Sequence, residues 1–127
     1  MSESIHIARV PVGDGDGGVG GGVGPHLDDA ERERVAAFLA AGAPILMTTA
    51  LGPDKLDPAR GNVVGASFRT DGTWVWSDGL TYYVRAHSVA PEDALLLWIR
   101  GQDYRCATPD ETAQDRALDA LWASFRS

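Results

Sequence analysis

The sequence is nearly without cysteine and lysine: its 127 residues hold one of each, Cys106 and Lys55, beside ten arginines. A lone cysteine cannot form an internal bridge, and small secreted domains usually carry several. Cys106 is therefore expected to pack rather than to react. No run of eighteen apolar residues exists to span a bilayer. No basic stretch followed by an apolar one begins the chain as a secretory leader would, so the expected address is cytoplasmic. Basic charge is scarce as well. The formal charge is −7, with nine acids against five bases up to residue 60 and nine against six beyond it. Nucleic-acid binders need clustered Lys and Arg to release counterions, so neither DNA nor RNA is an expected partner. An evenly acidic surface would instead steer a basic protein toward it.

Signatures of catalysis are missing too. His6, His26 and His87 lie far apart and fit no zinc spacing, so no metal is expected. There is no nucleophile elbow and no phosphate-binding loop. The carboxylate pairs Asp28/Asp29, Glu92/Asp93 and Asp110/Glu111 stand at helix starts, where capping and the helix dipole account for them. Asp54 and Asp57 sit in a proline-bounded loop, where turn chemistry suffices. His87 ends an apolar stripe and reads as a hydrogen-bonded boundary histidine. The chain is expected to be no enzyme and to need no cofactor.

What is present fits one globular domain, with 44% hydrophobic residues and a length that allows a true core. Residues 1–25 are set apart by a tract, 13–24, with eight glycines in twelve positions, which predicts a flexible segment. Gly13, Gly15 and Gly18 match a dinucleotide fingerprint in spacing, but further glycines follow where a helix is required. Residues 4–12 can add a short edge strand, limited by Pro11.

Residues 26–127 then form the domain. Asp28 with Glu31 opens a helix to about Ala41, stopped by Gly42, with Val35, Phe38 and Leu39 buried. Residues 44–50 read as a mostly buried strand. Ser77 caps a helix to Ser88, Pro91 starts another to Gly101, and a Thr108 to Glu111 capping box opens a last one to about Phe125. The sum is an α+β fold: a small, mostly antiparallel sheet of three or four strands with a central hairpin, covered by about four helices.

The hairpin is the strongest local signal. Asp71-Gly72 between the runs 63–70 and 73–76 predicts a two-residue type I′ turn, with Arg69 opposite Trp74 and Phe68 opposite Val75. One face then carries Val64, Ala66, Phe68 and Val75; the other carries Arg69, Trp74 and Trp76, with the guanidinium over an indole ring. Six aromatics fall within residues 74–104, and the two tryptophans cannot share one core surface with Phe68. They either close a second core layer or, with Tyr82, form a protein-binding patch, since Trp, Tyr and Arg are enriched in hot spots.

Residues 44–49 (PILMTT), 57–61 (DPARG), 67–76 (SFRTDGTWVW), Tyr82-Tyr83 and Ala90-Pro91 together resemble a small family of high-GC Gram-positive bacteria associated with immunity proteins of polymorphic-toxin systems. The resemblance covers roughly residues 27–100 and brings no catalytic assignment. It implies a non-enzymatic interaction protein that binds and neutralises a partner toxin, with Arg69, Trp74, Trp76 and Tyr82 as contacts. The alternative is a small-molecule-binding domain or small enzyme with an aromatic cleft between the hairpin and the helix at 78–88.

Overall fold

The computed structural model describes residues 5–11 and 26–126, so the glycine tract expected to be flexible lies outside the described residues. The fold is α+β. A four-stranded sheet has the order β1 (His6–Ile7), β6 (Trp74–Ser77), β5 (Phe68–Thr70), β2 (Ala43–Leu46). The β6–β5 and β5–β2 pairs are antiparallel, while β1 runs parallel to β6 at the edge. The amino-terminal segment thus contributes a strand to the domain.

Helix α1 (Asp29–Ala40) starts where Asp28 accepts from the Glu31 N–H at 2.8 Å, as the sequence signal requires. Ser77 likewise caps α2 (Asp78–His87), which closes on Ser88 at a left-handed φ of 59°. The next two starts differ from expectation. Helix α3 (Asp93–Gly101) begins after Glu92, whose carboxylate accepts from the Arg9 N–H, and Pro91 stays outside it. Helix α4 (Glu111–Arg126) is capped by Asp110, which accepts from Ala113 N–H. The acid at the dipole's positive end takes the role expected of Thr108.

The strand at 44–50 is shorter than expected. It ends at Leu46, and Met47 is 61% exposed. The Ser67 hydroxyl accepts from Thr48 N–H and donates to Thr48 O, holding the chain where it leaves the sheet. The chain then forms β3 (Leu51–Pro53), paired antiparallel with β4 (Asn62–Gly65) as a separate two-stranded sheet. The run 63–70 is therefore two strands broken at Ala66 and Ser67, and Val64 does not share a sheet with Phe68.

The hairpin register differs by two residues from the type I′ expectation: Arg69 faces Trp76 and Thr70 faces Val75. Gly72 has the expected positive φ, 99°, but Asp71 does not, so a four-residue turn forms. Three of its N–H groups are taken by side chains, and that of Asp71 goes to Trp74 O. Asp71 Oδ1 accepts from Thr73 and Trp74, Thr70 Oγ1 accepts from Gly72, and the Trp98 indole donates to Asp71 Oδ2 at 2.8 Å. Those bonds favour the wider turn over a local two-residue one.

A slip of two leaves the face of every side chain unchanged, so Arg69, Trp74 and Trp76 do share a face. That face is interior. Trp76 is fully buried, donates from Nε1 to Leu39 O at 3.0 Å and lies 5.7 Å from the Phe38 ring. Trp74 is buried beside His6. α1, α2 and α3 cover these indoles, while α4 covers Val75 on the opposite face through Ala117 and Leu121. The aromatic pair is a core layer, because the sheet is packed on both sides.

Candidate functional site

The features that converge on α2 come from the 54–61 loop and the β3–β4 hairpin. Asp54 is completely buried. Its Oδ1 accepts from the N–H groups of Leu56 and Asp57, and its Oδ2 from the Tyr82 hydroxyl at 2.6 Å. His87 Nε2 completes the set at 2.7 Å from Oδ2. Burial alone would raise this carboxyl, but the bonds from His87, Tyr82 and the two backbone N–H groups outweigh it and hold the group at about 2. Donation to Asp54, reinforced by burial, raises the Tyr82 phenol. Through Asp54, His87 and Tyr82 clamp the loop onto α2.

The expected site residues separate. Trp74 and Trp76 are core. Arg69 does not lie over an indole; it pairs with Asp78 at 2.9 Å and donates to Gly42 O. Tyr82 belongs to the Asp54 cluster and also accepts from Arg60 at 3.3 Å. Cys106 is partly covered, and burial, aided by the Asp71 charge, pushes its thiol up to about 11, which suits packing.

Two open hollows flank β4, sharing Gly65 as a common wall. The smaller, about 490 Å³, lies between Leu51, Val63 and the α2 residues Thr81, Tyr82 and Arg85. Thr81 Oγ1 is sealed from solvent without a hydrogen-bond partner among the described residues. The larger is a cleft of about 650 Å³ that runs between Gly52 and Val64 of the hairpin, Ala66 and Phe68 at the sheet, and Tyr83 of α2. Lys55, exposed and the chain's one lysine, stands at it, and no carboxylate lines it among the described residues. Gly52, Gly65, Gly79 and Ala66 are among its walls, and a Cβ on Gly52 would touch nothing within 4 Å.

Sequence reasoning missed Asp54 as a hub and Lys55 as a cleft residue. The signal for Lys55 was its singularity; Asp54 looked like any turn aspartate. Among the described residues no cluster of His, Cys, Asp or Glu is arranged to hold a metal ion, and no helix is long and apolar enough to cross a membrane. No protein-family model, no curated protein and no solved structure matches this chain.

Proposed function

We propose that this chain is a non-enzymatic binding protein whose ligand site is the cleft between the β3–β4 hairpin and α2. One observation carries the reading: an open, mainly apolar hollow of about 650 Å³, walled by small residues and rimmed by a few polar groups. Ligand sites have this size and chemistry, with apolar walls for affinity and sparse polar groups for orientation. The Asp54 clamp supports it by fixing the loop that presents Lys55 beside α2, so the cleft is preformed. A cytoplasmic address belongs to the same reading.

The test is saturable binding of a neutral apolar probe, 1-octanol, followed by ligand-observed NMR on the wild-type protein and on Gly52→Leu. The added side chain starts in open space at the cleft wall and is expected to obstruct the cleft. Octanol binding should be saturable and lost in the variant. Binding that survives Gly52→Leu, or none at all in the wild type, rejects the cleft as a ligand site.

A second reading keeps the toxin-neutralising role, moved to another surface. On α4, Trp122 and Phe125 are 44% and 52% exposed, with rings 5.6 Å apart, in a chain of charge −7. Exposed paired aromatics with acidic surroundings suit a basic partner. Serine at both positions should abolish complex formation with the product of the adjacent gene, and an undiminished complex rejects this surface.

A further inference from the structure

The geometry points to an apolar monocarboxylic acid as the ligand of the larger cleft, its chain between Val64, Ala66 and Phe68 and its carboxylate held by Lys55 and Tyr83. The inference rests on the cleft being a ligand site and adds the chemical class.

Three polar side chains at the cleft, Lys55, Ser77 and Tyr83, have protons with no acceptor among the described residues. Tyr83, almost fully buried, accepts from the Lys55 N–H at 2.8 Å, yet its own hydroxyl proton has no acceptor among the described residues. Ser77 accepts from the Leu80 N–H and its proton is likewise unassigned. The Lys55 ammonium makes no ion pair or side-chain hydrogen bond among the described residues. A buried donor left unmatched is costly, and a ligand acceptor removes that cost.

Nearby acids do not compete for Lys55. The Asp54 carboxylate is enclosed by four donors on the α2 side of the loop, and Asp78 is paired with Arg69. Among the described residues that line the cleft there is no carboxylate. An amine ligand would therefore find no counter-charge, and a neutral alcohol would leave the ammonium unused. One ammonium with two hydroxyls matches a monoanion. A phosphate dianion would exceed what Lys55 neutralises in a chain of net charge −7. The apolar stem of Lys55 can lie along the ligand body while its head stays at the rim.

The experiment compares octanoate, 1-octanol and octylamine on the full chain by calorimetry or ligand-observed NMR. Octanoate should bind at least about tenfold tighter than octanol, and octylamine more weakly than either. Lys55→Met, at an exposed side chain, should bring octanoate to the level of octanol and leave octanol unchanged, while Lys55→Arg should retain most of the preference. Octanoate affinity should fall with added salt. If octanoate and octanol bind alike and both are lost in Gly52→Leu, the cleft stands and the carboxylate class is rejected. Tightest binding by octylamine, or an octanoate preference that survives Lys55→Met, also overturns the inference. Failure of all three probes rejects the ligand site itself.

Discussion

His87 Nε2 lies 2.7 Å from Asp54 Oδ2 across a separation of 33 residues, and this contact fastens the 54–61 loop to α2. The cleft beside Lys55 depends on where that loop is held, so the pair links stability to the proposed binding site.

Acid should release the loop. The folded Asp54 carboxyl sits at about 2 against an ordinary 3.8, so its contribution is fully present above about pH 5 and is lost as pH falls through 4 toward 2. Glu31, lowered to about 2 from 4.5 chiefly by its bond from Arg100, loses its contribution over the same window. Urea midpoints between pH 6 and pH 2 should fall steeply in the wild type and less steeply in Asp54→Asn. Asp54→Ala, which strands several buried donors, should cost about 2–4 kcal/mol at pH 7. A parallel acid limb in wild type and Asp54→Asn would contradict the assignment.

Trp76→Ala should destabilise the protein by about 3–5 kcal/mol, because it empties the centre of the sheet–α1 layer. Thermal and urea unfolding measure this directly. A loss below about 1 kcal/mol would mean the indole is not core.

Two glycines should respond differently to alanine. A Cβ on Gly42 would lie 2.6 Å from Trp76 Cζ2 and 3.0 Å from Arg69 Cβ, so Gly42→Ala should cost about 1–3 kcal/mol through overpacking. Gly52→Ala meets only open space and should stay within about 0.5 kcal/mol of wild type. Equal urea midpoints for the two variants would refute the close approach of Gly42 to Trp76.

Thr81→Val removes a buried hydroxyl that has no partner among the described residues and should be neutral or stabilising by up to about 1 kcal/mol. Destabilisation beyond that, read from the unfolding midpoint, would show that the hydroxyl has an acceptor in solution.

Cys106 should resist alkylation. With the thiol raised to about 11, its rate with iodoacetamide at pH 8 should fall well below that of a free cysteine and keep climbing through pH 10. A rate that levels off near pH 8.5 would contradict the shift.

Local chemistry made several elements legible. The Asp28 and Ser77 caps act as read, and the positive φ of Gly72 is where the Asp-Gly pair put it. Face alternation placed Arg69, Trp74 and Trp76 together even though the register differs by two, because a two-residue shift preserves side-chain parity. These are properties of neighbouring residues, and neighbouring residues are what a sequence displays.

Tertiary structure decided the rest. Whether the tryptophan face meets solvent or helices depended on α1 and α3 docking over it, and the turn width on Trp98 reaching Asp71 from another helix. Asp54 became a hub only when α2 brought Tyr82 and His87 to it, and the cleft arose where β3, β4 and α2 leave small residues facing one another. The sequence by itself determined the four helices, the hairpin strands at 68–77 and the face that Arg69, Trp74 and Trp76 share, since those follow from propensity, capping and period; it did not show β3 or the break at Ala66 and Ser67. Which face is covered, and where a hollow remains, comes from contacts between residues far apart in the chain, whose partners no local pattern names.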